Sequence, residues 1–474
     1  MRRTGIFSLV ALLAFAAGCT VGPNYRRPVV NVPASYRGAT GVGEGQPLGA
    51  RKWDTVFTDP VLQALISEAL KNNFDVKIAA DRVLEQEAQF GIARAAQYPS
   101  LSAGASMDAL GLPAGLLGGS SSSSSSSGSG GKGHSYITSG GFSISPAWNL
   151  DFWGYYRRQT ESARAQLQAY KWAQQVTFST LVEDVATSYY QLRTLDAQLE
   201  ITFKTLEDRK QSLNLTTTLE QGGGGTLADV RQAEELFFTA QAEIPDLQRQ
   251  IQQQENGLSI LLGHAPGSIP RGGAIADVSH PLEVPVGLPS ELLERRPDIL
   301  RAEELLVQAN ANIGVARAQF FPTISLSGSG GISSDALKGL VESKNLYYYA
   351  IGSLTQPIFD GGKLRSNLKL AEAEHKELTD TYQQTIMGAL RDVSNALVAY
   401  RLTRDYRQQQ EHLVVSATDA VRLARLLYYA GTTSYLEVLT NDTNLYSAQL
   451  TLQTAEQQEA LSLVQLYNAL GGGW

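Results

Sequence analysis

The amino-acid sequence predicts an α+β membrane protein made of two tandem repeats, each with long coiled-coil helices and a β-hairpin. Three observations support this fold class. The chain of 474 residues repeats its motifs at fixed offsets, it contains a proline-free stretch of 67 residues, and it contains short stretches of alternating apolar and polar residues. Alternation with a period of two is typical of strands, whereas apolar residues spaced by three and four are typical of coiled coils.

The composition favours helices and polar strands over a compact α/β enzyme. Hydrophobic residues make up 43% of the chain, charged residues only 18%, and the net charge is -7. The charged fraction is below the usual quarter. No basic stretch follows the first few residues, so we expect no nucleic-acid partner.

The N-terminus resembles a bacterial lipoprotein signal. Two arginines precede an apolar run at 6–17 that is too short to span a bilayer, and the run ends at Cys19, the only cysteine. We therefore predict a signal peptide at 1–18 and a covalent lipid, such as palmitate, on Cys19. Thr20 in place of Asp favours the outer membrane over inner-membrane retention. The alternative is an ordinary secretory signal that ends near a chance cysteine.

An internal duplication sets the domain organisation. The motif "ARAAQYPSLSA" at 93–103 has a near-copy, "ARAQFFPTISL", 223 residues later at 316–326. Further along the offset is 208, as between Gly154 and Gly362, so one copy contains 15 additional residues. A Ser-rich segment at 118–133 lies in that interval, and its composition predicts a flexible loop.

The duplicated motifs divide the chain into segments. Each repeat is predicted to run through a helix (59–97 or 289–320), a β-hairpin, a long helix, a tip and a return helix. The predicted order is a signal peptide at 1–18, an extended N-terminal segment at 19–58, repeat 1 at 59–263 with its hairpin at 99–153, a linker at 264–288, repeat 2 at 289–470 with its hairpin at 322–361, and a C-terminal tail at 471–474.

The hairpin strands have one apolar and one polar face. In the return strand of repeat 1, Phe142, Ile144 and Trp148 alternate with Ser143 and Ser145. This period-two pattern predicts a strand with two different sides. Residues 346–359 form the equivalent strand of repeat 2, and their tyrosines would suit a membrane interface. The alternative is an ordinary soluble hairpin with one solvated face.

The long helices carry heptad spacing. The stretch 155–221 places apolar or small residues at alternating intervals of four and three: Leu181, Val185, Ser188, Leu192, Leu195, Leu199, Thr202 and Leu206. After a Gly-rich tip at 222–226, similar spacing continues along a return helix, and residues 363–430 and 434–470 repeat the arrangement. Helical hairpins of this length need neighbouring helices to bury their apolar stripes.

Four strands per chain cannot form a barrel alone. Inside hydrocarbon every backbone N–H and C=O must be paired, so only closed barrels are stable, and about eight strands is the practical minimum. Identical chains would therefore share a barrel, of eight strands in a dimer or twelve in a trimer.

Five motifs resemble the outer-membrane efflux protein family (TolC-like), specifically its lipoprotein branch. They are "CTVGPNYRRP" from Cys19, "RRPDILRAE" from Arg295, "ARAQFFPTISLSG" from Ala316, "QPIFDGGKLRS" from Gln356 and "LYNALGGGW" from Leu466. The resemblance implies a homotrimer with a twelve-stranded β-barrel in the outer membrane, continued by a twelve-helix α-barrel in the periplasm. It also implies a passive duct for drugs and other small molecules, joined through a periplasmic adaptor to an inner-membrane pump of the resistance-nodulation-division type.

The resemblance places a gate at the helix tips. In "YYAGTTSYLEVLT", Tyr428 matches the family's linking tyrosine, Thr433 replaces its arginine, Glu437 retains the first acid of a ring, and Thr440 replaces the second. Asp229 stands where the family has the acceptor of the tyrosine link. We hypothesise an Asp229–Tyr428 hydrogen bond in the closed state. The alternative is that both acids are solvated charges, favoured near helix N-termini by about 0.3–1 kcal/mol.

Other functional classes have weaker support. The five histidines are scattered without ligand-like pairing, so we expect neither an enzyme nor a metal or cofactor beyond the lipid. Two alternatives remain: an outer-membrane duct of a type I protein secretion system, and a structural coiled-coil envelope lipoprotein.

Overall fold

The structure is a computed structural model that describes residues 20–37, 47–113, 134–273, 285–335 and 342–473. The predicted signal peptide, Cys19 and the Ser-rich loop lie outside the described residues. The chain divides into two compact units. Unit 1 comprises 1–26, 87–166 and 306–377, and unit 2 comprises 27–86, 167–305 and 378–474.

Both repeats contain the same elements in the same order. Helices α4 and α8 have 67 residues each, and α5 and α9 have 35 each. The elements are α1 Trp53–Val56, α2 Pro60–Asn72, α3 Phe74–Ala95, β1 Ser100–Pro113, β2 His134–Leu150, α4 Tyr155–Gln221, α5 Leu227–Leu261, α6 Pro289–Arg295, α7 Pro297–Ala318, β3 Thr323–Ser334, β4 Leu346–Thr355, α8 Lys363–Tyr429 and α9 Tyr435–Ala469. The predicted helix at 155–221 is confirmed.

The helix expected before each hairpin is divided in two, which the sequence reading missed. In repeat 1, Asn73 separates α2 from α3, because its Oδ1 accepts a hydrogen bond from the backbone N of Asp75 at 2.7 Å and caps α3. In repeat 2, Arg296 stands before Pro297 and adopts an extended conformation with ψ of 116°, as residues before proline prefer. The two breaks are 223 residues apart, so the duplication preserves them.

Unit 1 contains an antiparallel four-stranded sheet. The strand order is β1-β2-β3-β4, so the hairpins of the two repeats meet where β2 pairs with β3. Within the chain, β1 and β4 each have a single strand neighbour in this order, and both therefore present open edges. Such edges leave backbone donors and acceptors available to another chain.

The apolar face of this sheet is its exposed face. Leu101, Met107 and Tyr348 are 73%, 76% and 88% exposed. On the other face serine hydroxyls pair across strands, as between Ser145 and Ser329 at 3.2 Å. A soluble hairpin would bury the apolar face and solvate the serines, so the distribution seen here is the one expected of strands in contact with lipid.

The segment after Cys19 is held beside the end of β2. Val21 donates its backbone N–H to the carbonyl oxygen of Trp153 at 3.0 Å. Arg158, buried in unit 1, donates to the side chain of Asn24 at 2.9 Å. Gly154 has φ of +82°, and an added Cβ would lie 2.9 Å from the Thr20 side chain. The described chain therefore begins close to the base of the sheet.

Unit 2 gathers the short helices and loops around the long ones. Asp59 caps α2 by accepting a hydrogen bond from the backbone N of Val61 at 2.8 Å. Its second carboxylate oxygen accepts from the Tyr189 hydroxyl at 2.6 Å, and that hydroxyl in turn accepts from the backbone N of Gly272 at 2.9 Å. One tyrosine on α4 thus ties both the start of α2 and the segment after α5 to the helical core. Among the described helices, none combines the length and the apolar character required to cross a membrane.

We expect Gly331→Ala to destabilise the sheet and Gly352→Ala to leave it intact. A Cβ at Gly331 would collide with the backbone of β2 at Phe142, whereas a Cβ at Gly352 would meet nothing within 4 Å. Overpacking of this kind costs about 1–3 kcal/mol. The thermal unfolding midpoints of both variants in detergent measure the difference. Equal midpoints would contradict the observed β2–β3 register.

Candidate functional site at the helical tips

Both helical hairpins turn through the same glycine-dependent motif. At the first tip, Gly223 has φ of +76°, and the backbone N of Gly224 donates to the carbonyl oxygen of Leu219 at 2.7 Å. Gly431 has φ of +70° at the second tip, 208 residues later. This is the Schellman arrangement, in which glycine adopts the left-handed conformation and the last helical carbonyls are satisfied.

At the first tip Asp229 belongs to the cap of α5. Its Oδ2 accepts hydrogen bonds from the backbone N and the hydroxyl of Thr226, at 3.0 and 2.8 Å. The backbone N of Asp229 donates to the Thr226 hydroxyl at 3.2 Å, which completes a capping box. The carboxylate is therefore oriented by local structure, and it carries negative charge at the favourable end of the helix.

The second tip lacks that cap although its sequence would permit one. Ser434 and Glu437 have the spacing of a capping box, but the Ser434 side chain makes no cap hydrogen bond. The exposed Glu437 carboxylate accepts a hydrogen bond from Asn441 at 3.3 Å, and Thr440 donates to the Leu436 carbonyl oxygen at 2.9 Å. The two acids that the duplication places at equivalent positions thus have different surroundings.

Tyr428 packs in a cluster to which all four long helices contribute. Its ring centroid lies 5.4 Å from that of Tyr435. The cluster contains the buried residues Ala233, Ala424, Tyr435 and Val438, against which Leu213, Tyr428 and Leu439 pack. Tyr428 therefore stabilises the closed packing below the tips through its ring, whatever its hydroxyl contacts.

The structure brings Tyr428 close to Asp229 without linking their side chains. Burial raises the pKa of the Tyr428 hydroxyl, and the negative charge of Asp229 raises it further. The hydrogen bonds of the Asp229 side chain run to Thr226. The Asp229–Tyr428 hydrogen bond stays a prediction, as do the roles of Thr433, which is half-buried in the second turn, and of Glu437.

A buried ion pair below the tips was missed by sequence reasoning. Arg209 on α4 donates to the Asp442 carboxylate on α9 at 2.9 Å and to the Leu236 carbonyl oxygen on α5 at 3.0 Å. Arg425 on α8 donates to the other Asp442 oxygen at 3.4 Å. The guanidinium of Arg209 also lies 5.0 Å from the centre of the Tyr446 ring. One carboxylate thus connects the four helices.

No spacing in the sequence distinguishes Arg209 from the exposed charges around it. The Arg209 side chain is only 3% exposed and that of Asp442 12%. Burial of two charges is costly unless they are well paired, so such a pair specifies geometry more than it adds stability. Among the described residues, no group of three or more His, Cys, Asp or Glu is placed to hold a metal ion.

Comparison with known proteins follows the same two-repeat organisation. The family model described as outer membrane efflux protein matches residues 65–264 and 288–472, one stretch in each repeat. The chain belongs to the outer membrane efflux protein family.

Family relatives match along nearly the whole chain. The solvent efflux pump outer membrane protein SrpC of Pseudomonas putida is 36% identical over 469 residues, which cover 98% of this chain and 97% of SrpC. The cation efflux system protein CusC of Escherichia coli O6:H1 is 32% identical over 462 residues, 96% of each chain. The open-state outer membrane channel MtrE of Neisseria gonorrhoeae superimposes with a TM-score of 0.85 at 30% identity, over 96% of this chain and 98% of that one. The chain is an outer-membrane efflux component with the TolC-like channel fold.

Asp442→Asn is expected to destabilise the four-helix packing below the tips. Removing the charge of Asp442 leaves the buried Arg209 guanidinium uncompensated, and breaking a buried pair costs about 3–5 kcal/mol. The measurement is the thermal unfolding midpoint together with protease cleavage near the tips. Asp246→Asn is the matched control, since its ion pair with Arg249 is exposed and such pairs contribute little. Equal effects of the two variants would contradict the assignment.

Proposed function

We propose that this family member is the outer-membrane exit duct of a tripartite efflux system. It conducts drugs or other small molecules passively from an inner-membrane pump of the resistance-nodulation-division type and a periplasmic adaptor to the outside. The names of SrpC and CusC, which refer to solvent and cation efflux, support small solutes as the cargo class. The duct opens at the helical tips, and we propose no catalytic activity.

The exposed apolar face of the open four-stranded sheet carries this proposal. In lipid, the unpaired edges of β1 and β4 would leave backbone groups without partners. Pairing β4 of one copy with β1 of the next satisfies them, and three copies with four strands each form a closed twelve-stranded barrel. Its serine-lined face would then surround an aqueous pore.

Lipidation of Cys19 would anchor each copy beside this barrel. The support is the position of Thr20, which follows the cysteine and lies against Gly154 at the base of the sheet. Acyl chains on Cys19 would enter the leaflet next to the strands. Each buried methylene contributes about 0.8 kcal/mol, so several chains give a stable anchor.

Closure at the tips would combine packing with charge. The exposed carboxylate of Glu437 would occur once per copy around a narrow axis, where an acidic ring favours cations. The cluster around Tyr428 and the Arg209–Asp442 ion pair would hold the two helical hairpins of each copy together in the closed state.

We expect purified trimers in planar bilayers to conduct, and deletion of the gene to increase susceptibility to small toxic compounds. The duct provides the only proposed aqueous path, so both effects follow from the same pore. A structural coiled-coil lipoprotein would form trimers that do not conduct. A strain with unchanged drug susceptibility but defective export of a protein would instead support the secretion alternative.

Tyr428→Phe is expected to raise the small closed-state conductance if the tyrosine hydroxyl links to Asp229. This variant keeps the ring that packs in the cluster and removes only the hydroxyl. Thr226→Ala is the matched control, because it disrupts the capping box while Asp229 retains its charge. An increase in Tyr428→Phe alone supports the link. Closed-state conductance equal to that of the unaltered protein rules it out.

A further inference from the structure

A polar recess lies in unit 2 where α9 ends and α7 begins. It has a volume of about 500 Å³, and residues of α4, α7, α8 and α9 line it together with Arg296. The small residues Pro297 and Ala469 stand at the two helix ends and do not fill the gap. A recess of this size is in the range of small-molecule sites.

The ionisable groups of the recess have an excess of negative charge. Arg296 pairs with Asp298 at 2.9 Å and with Asp392 at 3.0 Å, so two carboxylates already satisfy its single positive charge. Glu183 on α4 is a third carboxylate, and it accepts a hydrogen bond from the side chain of Asn468. The guanidinium therefore does not neutralise Glu183.

The titration of Glu183 agrees with this imbalance. Burial raises the pKa of its carboxyl, and the hydrogen bond from Asn468 opposes that rise only in part. The charge of Asp184 raises the pKa further, while Arg296 lowers it. A cation placed beside Glu183 would supply the missing compensation.

A buried hydroxyl on the same wall also lacks a partner. Ser179 on α4 is 6% exposed and lines the recess, one helical turn before Glu183. Its Oγ has no hydrogen-bond partner among the described residues. Buried polar groups are normally satisfied, so this oxygen indicates a donor supplied from within the recess.

The polar groups suit an extended organic cation better than a metal ion. The side-chain amides of Asn395 and Gln465 also line the recess and present carbonyl oxygens. Among the described residues, no group of three or more His, Cys, Asp or Glu is arranged around a single point as a metal requires. Spread acceptors around one carboxylate match a solute with an ammonium group and further N–H donors.

We propose that this recess binds polar organic cations that carry primary ammonium groups, with the ammonium against Glu183 and a further N–H donated to Ser179. The inference deepens the proposed function and rests on it for the route that brings solutes to the recess. The site would retain cationic cargo during passage through the duct.

Isothermal titration calorimetry of the full-length trimer with spermidine, an aliphatic triamine, tests the proposal at 150 mM salt. We expect one site per subunit. Glu183→Gln should weaken binding at least tenfold, which corresponds to about 1.4 kcal/mol. Ser179→Ala should weaken it about threefold, because one hydrogen bond is lost. Glu207→Gln is the matched control, since it removes an exposed carboxylate from the same helix, and it should change the affinity less than twofold.

Three results would overturn the proposal: no binding to the unaltered trimer, equal weakening in Glu183→Gln and Glu207→Gln, or unchanged affinity in Ser179→Ala. The last variant decides the question if Glu183→Gln fails to assemble. Bilayer recordings of the same preparation separate the two proposals. A conducting trimer without spermidine binding contradicts only the recess, whereas a non-conducting trimer that binds spermidine contradicts only the duct.

Discussion

Backbone hydrogen bonding in the four-stranded sheet is the constraint on which the rest of the molecule depends. A sheet with its apolar face outward is stable only in lipid, and lipid tolerates no open strand edge. The order β1-β2-β3-β4 leaves two such edges in one chain. Identical copies are therefore required, and the long helices that continue from the strands must assemble with the same multiplicity. The oligomer follows from unpaired peptide groups rather than from a specialised interface.

Duplication supplies the regular framework, and divergence between the copies supplies the functional differences. Helices of 67 and 35 residues recur in both repeats, and both tips turn through a left-handed glycine. Asp229 completes a capping box, while the equivalent Glu437 remains exposed. At the opposite end of the tip helices, Asn73 and Arg296 both break a helix, but only Arg296 adds a charge to the polar recess.

Much of this architecture could be read from residue patterns because the responsible interactions are local. Heptad spacing and the absence of proline predicted α4 with its observed bounds, and strict alternation predicted the two faces of β2. The breaks at Asn73 and Arg296 were missed, since helical periodicity continues across them. A capping asparagine is visible only when its contacts are known, although Pro297 offered a signal for the second break.

The sequence by itself determined the duplication, the helix and strand types, the membrane character of the hairpins and the family, because each depends on periodicity or on contiguous motifs. The tertiary structure alone decided which polar groups meet. Arg209 and Asp442 are 233 residues apart, and Glu183 and Asn468 are 285 apart. No local pattern marks such pairs, because a charge on a helix is ordinary in sequence and becomes consequential only when packing removes water from it.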